Sequence, residues 1–489
     1  MAASTFGSSG CSFVSSALGS DVVLVTSVHG VERIGELYEF HVEIAHTKGP
    51  LTETEISNLL LAPCSLTLGD GADPINGIAR EILIRESAAD RAGSYEIIMV
   101  PTVWLLTISK LSRLYQKMSV KDMAADVLDR YGLGGHYDLR ISASDPRDFC
   151  IQYEESDWDY LQRWFEHDGF FYWFEHTADG EKLCVSDINA NATPITGTAS
   201  LPYRDAGGLK RTEDSVWDWR GVQRRIPAQV ILKDYNEEKP LLPMTGQADV
   251  DSKNGFGVFF EYGDNFDTPA AGGALAKKRA ERFLTDQLTL YGVTDSSRFH
   301  VGHTFELVEH FDDAQNRKYL ITAIEHRVAP VFEDDATQVT RYVATFEAIP
   351  FSVQFRPERK TPWPSVHGLM HGHIESDTSG KFSTLDTQGR YKVRFPFDST
   401  GNTGDESSTW VRMAQHYAGS GYGSHFPLHK GAEVLLAFYD GDPDRPIIVG
   451  TVPNPLTSTP STGANATQSI VSTHSGIKMT LDDQHNGKL

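Results

Sequence analysis

Short runs in which every second residue is apolar, each ended by glycine or proline, constrain this chain more than any other feature of its sequence. Between residues 21 and 105 they read "DVVLVTSVHG", "LYEFHVEIAH", "CSLTLGD", "GIAREILIRES" and "YEIIMVPTVWLL". Period-two alternation puts the apolar side chains on one face of a strand. The breaks favour turns and short strands over long helices. A single strand of this kind cannot cover its own apolar face, so the runs predict a small antiparallel barrel or sandwich. The pattern returns from residue 216 in "VWDWRGVQ", "AQVILKDYN" and "FGVFFEYG", then in "FHVGHTFELVEH", "RKYLITAIEHRV" and "RYVATFEAIP". One helix interrupts it, with Pro269 near its first turn and "GGALAKKRAERFL" as its body. Two related β units are therefore expected.

Two short helices lie between them. In "SVKDMAADVLDRYGLGG", Val120, Met123, Ala124, Val127, Leu128 and Tyr131 recur at helical spacing; Ser119 with Asp122 starts the helix and Gly132 stops it. In "SDWDYLQRWFEHDGF", Ser156 with Asp159 starts and Gly169 ends a second helix, followed by the strand "FFYWFEH". The aromatic cluster from Trp158 to Phe174 reads as core, a helix packed back on a strand. After the linker "RPERKTPWP", five strand candidates follow: "VHGLMHGHIES", "GRYKVRFPF", "TWVRMAQHY", "AEVLLAFYDG" and "PIIVGTVPN". Five short strands joined by turns fit an OB-type barrel. A spacer, "NPLTSTPSTGANATQ", precedes one further alternating strand at the C-terminus. The expected division is a flexible segment 1–20, a barrel 21–110, an α/β segment 111–200, a second barrel 201–361, an OB neck 362–453, a linker 454–468 and a terminal strand within 469–489.

The net charge of −22 repels phosphate backbones and anionic lipids, which argues against nucleic acid as a partner. Cys11, Cys64, Cys150 and Cys184 are scattered without a C-x-x-C pair and read as thiols in a reducing compartment. The first residues carry neither the charge nor the apolar core of a cleavable secretory signal, so synthesis in the cytoplasm without such a signal is expected.

Asp440, Asp442 and Asp444 alternate as ligands do at the start of a calcium loop. That loop needs glycine at its sixth position and a bidentate glutamate at its twelfth, where Arg445 and Thr451 stand. Asp440, Gly441, Asp442, Pro443, Asp444, Arg445 and Pro446 are read instead as a structural turn between two strands, with Arg445 offsetting the acids. His367, His371 and His373 share the parity of one strand face, but spacing alone makes no zinc site, and they are read as a polar surface. No H-E-x-x-H, G-x-S-x-G or Walker motif occurs. No catalytic, cofactor-binding or metal-ligating residue is assigned, and no enzyme activity is expected.

"TVWLLTISKLSRLYQKMSVKDMAADVL", "FCIQYEESDWDYLQRWFEHDGFFYWFEH" and "STWVRMAQHYAGSGYGSHFPLHKGAEVLLAFYDGDPDRPIIVGTVPNP" together resemble the VgrG family, spike proteins of bacterial type VI secretion systems that are similar to contractile phage tail hubs. The resemblance runs from about residue 20 to the C-terminus. One departure is "PLHKGAEV" at 427–434, where the family more often has a loop like "PRVGQEV". The resemblance implies a mainly β fold with short helices: two β-barrel hub domains, an OB-fold neck and the start of a trimeric intertwined β-prism needle. It implies a homotrimer seated on a hexameric Hcp tube, a PAAR-type tip protein, effectors or adaptors as cargo, baseplate components around the hub, transient contact with a target membrane, and export by the type VI machine. In the needle, Ile470, Ser472, Ile477, Met479 and Leu481 would share one inward face. The competing expectations are a phage-like tail spike with a cell-wall hydrolase role and an OB-fold module for nucleic acid.

Overall fold

The computed structural model describes residues 10–18, 23–69, 72–85, 93–205, 213–332 and 338–485. The chain folds as two units: one of residues 1–109, 120–144 and 156–361, the other of 110–119, 145–155 and 362–489.

In the larger unit, alternation becomes burial directly. Along Glu39–His46 every second residue is buried, Phe40, Val42 and Ile44 completely. This strand lies in a sheet ordered Cys11–Ser15, Pro63–Leu68, Ile75–Arg85, Gly93–Val100, Glu39–His46, Val23–Arg33, Lys318–Phe332, Gln338–Pro350, Leu288–Thr294 and Val216–Gln223. The strands of the two expected barrels thus join edge to edge, with Val28 opposite Val328 and Arg33 opposite Ala323. Of the segment expected to be flexible, residues 1–9 and 19–20 lie outside the described residues. Cys11–Ser15, however, is a strand, paired from Cys11↔Leu68 to Ser15↔Cys64, because Phe13 is buried.

The helices form where capping and periodicity coincide. Val120–Arg130 buries Val120, Met123, Ala124, Val127 and Leu128. Asp157–Asp168 starts at Ser156, whose hydroxyl accepts the Asp159 N–H at 3.0 Å, and stops at Gly169 with φ 69°. Pro269–Gln287, capped by Thr268, packs on the sheet of Thr245–Asp249, Gln229–Lys233 and Val258–Tyr262. The packing is close: a Cβ on Gly246 would lie 2.0 Å from the Gly272 carbonyl oxygen. Trp158, Trp164, Phe165 and the run Phe170–Phe174 are all buried, and Phe171 and Trp173 share a core with Phe299, Phe305, Tyr319 and Phe346. Asp264 is held in the same unit by Arg279 Nη2 at 3.2 Å and Arg359 Nη1 at 2.8 Å.

The smaller unit has a four-stranded sheet ordered Lys392–Arg394, Met370–Glu375, Glu433–Phe438 and Pro446–Thr451. The expected strand "TWVRMAQHY" makes only single bridges, Tyr391↔Val411 and Met413↔Ile448. Those bridges reach both edges of the sheet, so the segment closes a barrel rather than extending a ladder. Residues 111–119 and 145–155, expected within the α/β segment of the hub, and residue 110, expected in the first barrel, belong to this unit. Their Leu114, Phe149 and Ile151 complete a core with Ile374, Tyr391, Val393, Val434, Leu436 and Ile448, and that burial decides their place. Cys11, Cys64, Cys150 and Cys184 are free thiols. Among the described residues no helix is long and apolar enough to cross a membrane.

Candidate functional site

Three features outside the packed cores bear on function: the acidic turn, the C-terminal hairpin and a polar cluster inside the larger unit. The turn joins Glu433–Phe438 to Pro446–Thr451, with Phe438 opposite Pro446. Asp440 and Gly441 take left-handed φ angles of 54° and 78°, which reverses the chain. Backbone bonds close it: Tyr439 N–H to Arg445 O at 3.0 Å and Asp442 N–H to Tyr439 O at 2.9 Å. The carboxylates accept from N–H groups. Asp442 Oδ1 takes the Asp444 N–H at 3.0 Å and the Trp363 indole N–H at 3.4 Å, and Asp444 Oδ1 takes the Ile151 N–H. Asp442 and Asp444 therefore spend lone pairs on backbone and indole donors. His371 and His373 share the side of Met370–Glu375 away from the core, and His367 lies outside that strand.

The C-terminal segment is a hairpin rather than a single strand. Gln468–Ser472 pairs with Lys478–Asp482, and the intervening turn closes through Thr473 N–H to Ile477 O at 2.9 Å, with Gly476 at φ 91°. The register corrects the expected inward face. Ile470 stands opposite Thr480 and Ser472 opposite Lys478, whereas Val471 stands opposite Met479 and Ser469 opposite Leu481. Directly paired residues point to the same side, so the apolar face is Val471, Ile477, Met479 and Leu481, with Ile470 and Ser472 behind it. The expected set mixes even and odd positions, and the pairing keeps parity across the turn, so Ile470 and Ser472 fall on the opposite face from Ile477, Met479 and Leu481. This face is open: Val471 is 41%, Ile477 72%, Met479 56% and Leu481 44% exposed. Beside the hairpin lies an apolar hollow of about 650 Å³, lined among others by Phe382, Phe426, Leu428, Val452 and His474.

The third feature left no signal in the sequence. Glu32, on Val23–Arg33, is buried with His300 and with His326 of Lys318–Phe332. One Glu32 oxygen, Oε1, accepts from His300 Nδ1 at 2.9 Å and from His326 Nε2 at 2.8 Å, and His326 Nδ1 lies 2.8 Å from the Tyr342 hydroxyl. His176 and His303 flank His300, with ring centroids 5.9 and 6.1 Å away. Burial pushes His176 down to about 3, helped by the charge on His300. Burial also lowers His326 and His303. Burial opposes charge on His300 too, but the adjacent Glu32 outweighs it and raises that imidazole. Burial would raise Glu32, yet His300 and His326 hold it well below the usual carboxylate range. The residues come from segments about 300 positions apart, so no local spacing marks them.

Two family models match the chain: Phage tail baseplate hub (GPD) over residues 31–331, and Type VI secretion system/phage-baseplate injector OB domain over residues 382–452. Among curated relatives, the type VI secretion system spike protein VgrG1a of Pseudomonas aeruginosa is 29% identical over 92% of this chain and 71% of its own length. VgrG1c of the same organism is 28% identical over 93% of this chain and 63% of its own length. The actin cross-linking toxin VgrG1 of Vibrio cholerae is 30% identical over 73% of this chain but only 33% of its own length. The chain thus spans less than two thirds of several of these relatives. Among solved structures, the E. coli c3393 protein, a type VI secretion component with structural similarity to T4 bacteriophage tail proteins gp27 and gp5, aligns over 90% of this chain and 99% of its own with TM-score 0.66 and 22% identity. A chain of the lidded Francisella PdpA-VgrG complex aligns over 94% of this chain and 71% of its own with TM-score 0.58 and 10% identity. Both share the fold.

Proposed function

This chain belongs to the phage tail baseplate hub family, and on that premise we propose that it serves as the hub and spike of a type VI secretion apparatus, assembled as a homotrimer. The observation that carries the reading is the open apolar face of the C-terminal hairpin. A lone two-stranded hairpin is marginal in water. Four exposed apolar side chains on one side of it need a partner surface. Three copies wound about a common axis supply that surface to each other and turn a weak hairpin into the first layer of a stiff prism.

In this proposal the larger unit is the hub, docked on a hexameric Hcp tube and held by baseplate components. The OB unit is the neck and the hairpin begins the needle, capped by a PAAR-type tip protein. Effectors or adaptors travel with it, and contact with the target membrane is transient. Synthesis is cytoplasmic, and the type VI machine itself exports the assembly. The work is mechanical, and no residue carries a catalytic role. The acidic balance of 66 Asp and Glu against 44 Lys and Arg disfavours the nucleic-acid reading. Light scattering on the purified chain tests the proposal: the expected particle contains three chains of 54.2 kDa. A stable dimer, or a monomer at every concentration reached, sinks the trimer, and turnover of peptidoglycan would contradict the mechanical role.

A further inference from the structure

We propose that Glu32, His300 and His326 form a binding site for a divalent transition-metal ion, with zinc the ion this donor set suits, inside the larger unit of the chain. The three side chains are buried, and one ligand atom from each lies within 4.8 Å of the other two. Two imidazole nitrogens and a carboxylate oxygen match the preferences of zinc, with bonds of about 2.0–2.2 Å. Two donors on one tetrahedral ion stand roughly 3.3 Å apart. The present separations of 2.9 and 2.8 Å from Glu32 Oε1 are close to that.

The surroundings fit the same reading. Tyr342 Oη, 2.8 Å from His326 Nδ1, can accept a hydrogen bond from that ring's Nδ1–H and leave Nε2 as the ligand, the outer support that metal-bound histidines use. Glu32 Oε1 accepts from two imidazoles among the described residues, and a buried carboxylate is stabilised by positive charge beside it. A metal ion supplies that charge without a protonated imidazole. His303 lies further out, its ring centroid 6.1 Å from that of His300, and is not one of the three donors. His303 Nδ1 faces the Val301 carbonyl at 3.2 Å, and a carbonyl only accepts, so the proton is there and Nε2 keeps its lone pair. His176 is arranged the other way, because its Nδ1 accepts the Asn76 N–H at 3.1 Å and its proton is on Nε2. The alternative without metal is a hydrogen-bonded triad in which both imidazoles donate to Glu32 Oε1. The two differ in a quantity that can be weighed, the metal bound per chain.

The test uses the full chain, stripped with a chelator, dialysed into metal-free buffer and titrated with Zn²⁺ or Co²⁺ alone. One ion retained per chain, a rise in Tm and the visible d–d absorption of four-coordinate Co²⁺ with nitrogen and oxygen ligands are expected. Glu32→Gln and His326→Gln, checked by circular dichroism, should lose all three, while the surface double variant His371→Gln/His373→Gln keeps them. No retained metal in the unaltered chain overturns the proposal, as does full retention by the folded Glu32→Gln variant. Should the interior variants not fold, anomalous scattering at the zinc edge from crystals of the loaded chain decides. A peak between the three side chains supports the site, and a peak elsewhere or none overturns it.

Discussion

Replacing Ile477 and Met479 together by serine should dissolve the proposed trimer and leave each chain folded. Both side chains project from the hairpin, 72% and 56% exposed, so neither supports the core of its own chain. Fully burying such a side chain contributes about 1.5–3 kcal/mol. Scaled by the exposed fractions, the pair contributes roughly 2–4 kcal/mol per chain and about 6–12 kcal/mol per trimer. At about 1.4 kcal/mol per decade, the association constant should fall by roughly 4–8 decades. Sedimentation velocity over a concentration series reads this directly, with far-UV circular dichroism as the folding control. Ile470→Ser, on the opposite face, should change association by less than about one decade. If the double variant sediments as the unaltered chain does at every dilution, or if Ile470→Ser is the more damaging, the assigned face is wrong.

Other outcomes test the rest of the molecule. Burial alone would raise the Asp264 carboxyl, but the His167 ring and the Arg279 and Arg359 guanidiniums outweigh it and hold the carboxyl far below the ordinary range. Its contribution is complete above the unfolded value of about 3.9 and fades as pH falls below it. Asp264→Asn should cost about 3–5 kcal/mol in urea unfolding at neutral pH, with the gap narrowing below about pH 4; an equal gap at both refutes the assignment. Gly246→Ala puts a methyl 2.0 Å from the Gly272 carbonyl oxygen and should cost at least about 1–3 kcal/mol; an unchanged Tm refutes the close packing. Excess calcium should leave the Tm of the chain unchanged, because Asp442 and Asp444 already hold N–H groups; a rise would restore the ligand reading of Asp440, Asp442 and Asp444.

Much of the fold is legible where burial depends on neighbours in sequence. Phe40, Val42 and Ile44 announce their strand by alternation, and Val120, Met123, Ala124, Val127 and Leu128 announce their helix by spacing. Features set by distant partners are not. The pairing of Arg33 with Ala323 depends on which strand edges remain free once the local hairpins form, and periodicity is silent about edges. Glu53–Leu59 is short, and its capping box, Thr52 with Glu55, is a usable signal that the apolar pattern hides. In the tail, the turn at 473–476 is visible as Ser475-Gly476, but continuous alternation on both sides of it disguises two strands as one. The Glu32 cluster is the extreme case. A histidine in a strand run reads as a polar surface residue until a carboxylate from the neighbouring strand, 294 positions away in the sequence, arrives to meet it.

The core of the smaller unit has a consequence for synthesis. Leu114, Phe149 and Ile151 reach the ribosome exit long before Val434, Leu436 and Ile448, with which they share that core. The Ile151 amide waits for Asp444, 293 residues further along. At about 5–20 residues per second, the interval is roughly 15–60 s. For that time the early segments are sticky and unmatched on every nascent chain. Polysomes place several such chains side by side, so the period before the last strand emerges is when mispairing between copies threatens the yield of this protein, and when a holding chaperone would raise it most.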